Sequence, residues 1–474
     1  MSGTALLVAA AVPALLALLG SRLAAWLAAP GDGALYRATV YVLGGAVVLH
    51  ILLTLLDFAR IPWHPLLLVP LGLALYVLAG RFLPRGPERP GLPSDLGWGD
   101  GIALFALAVF LLIALTGWIT FNDFIFHWGI KGERFHAARG TDYAYLARGW
   151  NWVLHPDYPN LLPEIYAVTA LLTGRFEMPA MMLQSGAFFA LLLAAAREGL
   201  RQGGADRFTR QTGLALIALA IGTFGIGYMT AGGADWLLAL ALTAAVPPLL
   251  RPPDRVGDFQ IGVIAAFAAA AKVEGVPLAT FLVLVQWARR LLEERRPGER
   301  RPALGEAVHA ALRIGLPAAV VVLPWLGRTI HHHLFLALNS GPFTLSRAPG
   351  ILAAVLEALQ TAAWHGFLWA MFLPPLLLLH RRTRPFAIVA TLQLLFYFYV
   401  YFTSASADQI RVFVLSNFAR LGFQVIPAIL VMALVAWGSG WQEKRRGLVV
   451  PALSTAPEDP ASAQRGVLIT TTLL

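Results

Sequence analysis

The sequence predicts an all-α, polytopic membrane protein of about thirteen transmembrane helices. Three observations carry that expectation. Hydrophobic residues make up 58% of the 474-residue chain and charged residues only 13%, with a mean hydropathy of +0.67, a membrane composition rather than that of a soluble domain. The apolar residues fall into repeated runs of helix length without strand alternation, and a lipid-embedded backbone must bond to itself. Arginine clusters separate the runs, at Arg81/Arg85/Arg89, Arg197/Arg201/Arg207/Arg210, Arg251/Arg255, Arg289 to Arg301, Arg381/Arg382/Arg384 and Lys444/Arg445/Arg446. The positive-inside rule assigns all of these to the cytoplasm.

The runs lie near 4–21, 36–57, 62–80, 101–121, 178–196, 211–228, 234–250, 259–271, 275–288, 303–325, 367–380, 384–402 and 421–439. The first has no basic n-region and no cleavage site, so it reads as a retained span. The scheme closes with the N-terminus outside and the C-terminus inside, provided that Leu161 to Leu172 forms a re-entrant or surface helix. Runs 259–271 and 275–288 fall short of the roughly 20 residues of a crossing and read as half-length helices meeting at AKVEG (271–275). The organisation is then an N-terminal membrane segment and linker (1–100), a membrane core (101–440) with an outer loop at 122–177, and a Pro/Ala/Ser/Thr-rich tail (441–474) that reads as disordered.

The net charge of +10 is explained by cytoplasmic anchors, and the mixed Arg/Glu run 289–301 is a solvated linker, so nucleic acid is not an expected partner. The absence of cysteine excludes disulfides, thiolate metal sites and cysteine catalysis.

The chemistry-bearing residues gather on the non-cytoplasmic side. Asp123 directly follows a span, where a carboxylate needs water, a cation or a reacting group, and it is the candidate general base. His127 and Lys131 follow four and eight residues on and share its face if the segment is one helix. In HPDYPNLLP (155–163), prolines constrain a turn that carries His155, Asp157 and Tyr158. The plainer reading makes Asp157 a helix cap. Asp235, in TAGGADWLL (230–238), stands at a helix start, where a cap is again the plainer role.

Only three lysines occur, at 131, 272 and 444, so Lys272 beside Glu274 suggests a selected point charge, or else a pair closing a tight hairpin. Arg328 and Arg420 stand at outer span ends, where an arginine holds a phosphate or snorkels to the interface. His331, His332 and His333 are adjacent, project in different directions and form a weak metal signal.

In order and sidedness these elements resemble the GT-C superfamily of integral membrane glycosyltransferases, closest to the group of protein O-mannosyltransferases, aminoarabinose transferases and lipopolysaccharide-core transferases. The resemblance spans about 101–440 and rests on Asp123, the long first outer loop, HPDYPNLLP, the GAD element at 233–235, AKVEG, and Ser416 with Arg420 before the last span. It implies a polyprenyl-phosphate sugar donor, a lipid, glycan or protein acceptor, inversion at the anomeric carbon, and an extracytoplasmic active face on a bacterial inner membrane. Asp123 would take the acceptor proton, Lys272, Arg328 and Arg420 would hold the leaving phosphate, and Trp150, Trp152 and Tyr158 would line the sugar or donor groove. Cationic side chains suffice for a phosphate leaving group, so no cofactor is required; a divalent metal is compatible with the chemistry but not indicated. Many members carry a second acid where Asn122 stands here. A lipid or sugar transporter or flippase, and a non-catalytic envelope-assembly protein of the same fold, remain as alternatives.

Overall fold

The computed structural model describes residues 3–84, 86–87, 91, 93–116, 123–148, 154–222, 232–293, 304–334, 342–360, 365–403 and 409–448. Among them every regular element is a helix. Fifteen of these suffice to describe the architecture: α1 (Gly3–Gly20), α2 (Ala34–Phe58), α3 (Pro65–Phe82), α4 (Trp98–Leu115), α5 (Gly129–Ala138), α6 (Leu161–Thr173), α7 (Met178–Gln202), α8 (Arg207–Ala220), α9 (Asp235–Leu250), α10 (Arg255–Ala271), α11 (Gly275–Glu293), α12 (Leu304–His331), α13 (Ala348–Gln360), α14 (Arg384–Thr403) and α15 (Ile410–Leu448).

Among the described residues nine helices are long and apolar enough to cross a membrane: α1 with its continuation to Leu27, α2, α3, α4, α7, α11, α12, α14 and α15. The chain is a polytopic helical membrane protein. Burial sorts the helices. The window of α3 is only 6% buried and that of α4 22%, so their leucines and valines face outward, as lipid contact requires. The short helices have the opposite surroundings. In α9 every residue from Asp235 to Leu249 is buried, against α7, α10 and α15. In α6 every residue from Leu161 to Leu171 is buried.

The structure redraws four sequence boundaries. The run at 161–172 is a helix enclosed by protein rather than lying on a surface. The run at 275–288 extends to α11, whose Gly275–Leu292 stretch reaches crossing length. The run at 367–380 breaks into the short turns His365–Leu368, Trp369–Phe372 and Pro374–Leu377, because Pro374 and Pro375 remove two backbone donors. The last helix continues to Leu448, and the rest of the tail lies outside the described residues.

Small residues set the closest helix crossing. A Cβ on Gly20 would collide with the Tyr41 carbonyl, and one on Gly45 with the Leu16 carbonyl, so α1 and α2 meet backbone to backbone. Close approach of this kind is how helices gain contact where lipid supplies no hydrophobic drive.

At one end of the bundle the loops are tied by polar contacts. Asp32, 1% exposed, accepts from Ala29 N (2.8 Å), Gln202 Nε2 (3.0 Å) and Gln260 Nε2 (2.8 Å), and pairs with Arg251. It thereby joins α2, α7, α9 and α10. Removing one partner of a buried pair leaves a charge uncompensated, so Asp32→Ala is expected to cost about 3–5 kcal/mol. In detergent its thermal midpoint should fall well below that of Arg411→Ala, which breaks only the exposed Arg411–Glu357 pair. Equal midpoints would remove Asp32 from this role.

Candidate active site

The opposite helix ends converge on a chain of charged side chains. Asp235 is the first residue of α9, yet it does not cap the helix; Ala234 is the cap residue and the Asp235 carboxylate points elsewhere. Its Oδ1 accepts from Lys272 Nζ (2.8 Å) and Gln424 Nε2 (2.5 Å), and its Oδ2 from Arg420 Nε (2.5 Å). Lys272, in the turn between α10 and α11, also reaches Glu274 Oε1 at 2.9 Å. Arg420, on α15, also donates through Nη2 to Asp123 Oδ2. Three carboxylates thus share two cations.

The chain is sealed at its centre and open toward both ends. Lys272 and Asp235 side chains are each 3% exposed, whereas Arg420 is 22%, Asp123 15% and Glu274 17% exposed. Neutral side chains hold the network: the Tyr397 hydroxyl donates to Gln424 Oε1, and Gln393 Nε2 donates to the Glu274 carbonyl (3.1 Å). Glu274 Oε2 is buried with no hydrogen-bond donor among the described residues. Gly233 makes room for the Asp123 end, since a Cβ there would stand 2.8 Å from Asp123 Oδ2.

Asp123 leads into one wide turn, Phe124–Trp128, whose hydrogen bonds span five residues, before α5 begins. That turn shifts the helical phase and separates the fates of the three residues expected on one face. Asp123 goes to Arg420. The His127 ring packs on His155, with centroids 4.8 Å apart. Lys131 is fully buried and donates to the His155 carbonyl at 2.7 Å.

The HPDYP turn packs against this arrangement. His155 has left-handed backbone (φ 48°), a conformation costly to a non-glycine residue and held by its surroundings. Its ring stacks on Tyr158 at 4.6 Å. Asp157 does not cap α6, whose cap residue is Asn160; instead its carbonyl accepts from Trp325 Nε1 (2.7 Å), fastening the turn to α12. Burial pushes the His155 pKa down to about 3, and the nearby charges of His127, Lys131, Lys272 and Arg420 act in the same direction. Burial raises the Tyr158 phenol well above its usual range, helped by Glu274. At neutral pH the turn therefore presents a neutral imidazole and a neutral phenol beside the ion chain.

The structure brings together ten of the eleven singled-out residues, and Arg328 stands apart. Its guanidinium meets Tyr143 Oη (2.5 Å), Thr54 Oγ1 (3.0 Å) and Asp57 Oδ2 (3.5 Å). This second cluster includes His332, stacked on Tyr143 at 4.1 Å, and lies near the buried His50 Nδ1–Glu164 Oε2 contact (2.7 Å). Sequence reading missed Asp57, His50 and Glu164. A signal was present, since each is an ionisable residue inside an apolar run. Ser416 is exposed and bonds back to the Phe413 carbonyl, away from the chain of charges. Asn122, Trp150 and Trp152 lie outside the described residues. Among the described residues no group of three or more His, Asp or Glu is placed to hold a metal ion.

The chain matches no protein-family model, no curated protein and no solved structure.

Burial lowers the Lys131 pKa from 10.5 to about 7, against the opposing pull of the Asp157 carboxylate. Between those values the unfolded chain holds a proton that the folded chain has released, so stability rises with pH through that window. From pH 7 to about 10, wild type is expected to gain thermal stability relative to Lys131→Met. Parallel pH profiles for the two proteins would refute the buried amine's role.

Proposed function

We propose that the protein is a membrane glycosyltransferase that moves a sugar from a polyprenyl-phosphate donor to an acceptor hydroxyl at the extracytoplasmic face. The observation that carries this reading is the Asp123–Arg420–Asp235–Lys272–Glu274 chain, closed at its Asp235–Lys272 centre and partly open at Asp123 and Glu274. A lipid-phosphate donor needs cations at the membrane boundary and an acceptor alcohol needs a base beside them. The chain supplies both within one connected set of contacts. Four of its five members stand at helix ends rather than at mid-helix, which favours chemistry at the boundary over transport through the bilayer centre.

In this reading the donor phosphate displaces Asp123 from Arg420 and takes the guanidinium as its partner, with the Lys272 ammonium adding positive charge from behind Asp235. Asp123, relieved of its cation, becomes the base. It accepts the proton of the acceptor hydroxyl while that oxygen bonds to the anomeric carbon. The carbon–oxygen bond to the phosphate breaks, the lipid phosphate leaves with the electron pair, and configuration inverts. Glu274 Oε2 and the stacked His155–Tyr158 surface are suited to a sugar, the first by accepting a hydroxyl and the second by packing on a ring face. Arg328, engaged in its own cluster, has no part in holding the phosphate. About thirteen crossings, with the Arg-rich ends cytoplasmic, belong to the same reading.

The test uses purified full-length protein, a panel of polyprenyl-phosphate sugars with candidate acceptors, and release of free lipid phosphate as the readout. Asp123→Asn is expected to lose about 100-fold or more of turnover while keeping its thermal midpoint. Gly233→Ala, which crowds the Asp123 carboxylate but not the buried core, should also fold and lose turnover. Undiminished turnover in Asp123→Asn would exclude Asp123 as the base. Absence of turnover by folded wild type across the panel would count against the transferase reading itself.

A further inference from the structure

A groove of about 800 Å³ lies between α1, α2 and α3 at the end of the bundle away from the charge chain. It is lined by Arg22, Arg37, Tyr41 and Tyr76 at the polar rim and by small apolar residues such as Ala17 and Ala38 along its wall. Its volume lies in the range of small-molecule sites, roughly 300–1,000 Å³. Among the described residues the lining contains two arginines and no acidic side chain.

The two arginines differ in role. Arg37 is buried and ties the loop together, donating to the carbonyls of Asp32 (3.1 Å), Ala29 (3.1 Å) and Pro30 (3.3 Å). Arg22 falls within the first apolar span, and its guanidinium lies 3.6 Å from the centre of the Tyr76 ring. Its Nε is buried and meets no acceptor among the described residues. An arginine inside a span is costly unless it reaches an anion or water. Stacking on an aromatic face holds the guanidinium in place and leaves its in-plane donors free to bond.

A fixed cation at the mouth of an apolar groove between membrane helices matches an amphiphile with an anionic head. Basic pockets of this form between transmembrane helices take anionic headgroups. We propose that this groove binds an anionic phospholipid of the bilayer, its phosphate on Arg22 and its chains along the alanine-lined wall. The site is distinct from the proposed donor site. The intervening α2, 25 residues from Ala34 to Phe58, carries Ala34 at the groove and Asp57 in the second cluster, about 35 Å apart along the helix.

The experiment is native mass spectrometry of the full-length protein released from nanodiscs of phosphatidylglycerol, phosphatidylcholine or their equimolar mixture. Wild type is expected to retain phosphatidylglycerol over phosphatidylcholine, and Arg22→Gln to lose about fivefold of that preference, the contribution of one arginine near a headgroup. Ala38→Phe, which fills the groove and leaves both charges alone, should reduce retention of either lipid and carries the test should Arg22→Gln not fold. No preference in wild type, or an unchanged preference in Arg22→Gln, would overturn the proposal. Displacement of the lipid by millimolar inorganic phosphate would also overturn it, reducing the site to a phosphate contact without chain recognition.

Discussion

Asp235 brings a carboxylate to the start of a helix that is buried along nearly its whole length, and the arrangement around it answers that charge. An unpaired carboxylate in such a place costs several kcal/mol even after relaxation. Lys272, Arg420 and Gln424 offset that cost, and they arrive from two elements: the α10–α11 turn and two positions one turn apart on α15. Because Asp235 holds Arg420 through Nε, the neighbouring Nη2 is fixed in space. That nitrogen meets Asp123, which leads into the wide turn.

A buried ion network is weak evidence for stability, since well-packed apolar residues of similar volume often do as well or better. Its retention in a chain with only 13% charged residues is better explained by use. The gradient from the sealed Lys272–Asp235 contact to the more exposed Asp123–Arg420 contact gives that use a direction. In the proposed function the closed centre positions charge, and the Asp123 side exchanges it. Under that proposal an incoming phosphate would compete with Asp123 for Arg420, so that arrival of the anion and release of the base would be one event.

Much of the site was legible in the sequence because charge stands out against apolar surroundings. Asp123, Asp235, Lys272, Glu274 and Arg420 are each conspicuous beside a hydrophobic run, and the scarcity of lysine drew attention to Lys272. Their mutual contacts were not legible. Arg420 meets partners 297 and 185 positions away, and only the packing of α9 against α15 sets that pairing. Gln424 escaped notice because a neutral amide carries no signal in an apolar helix. His127 and Lys131 were expected on the face of Asp123, but five-residue hydrogen bonding at Phe124–Trp128 changed the phase. The helix count was harder still. The runs that became α6 and α9 are apolar but short and enclosed by protein, and periodicity does not distinguish lipid from protein as the surrounding medium.

The most direct test of the exchange between phosphate and Asp123 is the affinity of purified protein for polyprenyl phosphate itself, measured for wild type, Asp123→Asn and Arg420→Gln. The account requires shifts of opposite sign. Asp123→Asn should bind more tightly, because its competing carboxylate has gone, and Arg420→Gln more weakly, because the cation has gone. Weaker binding by both variants, or no change in either, would contradict the account and leave the network a structural clamp.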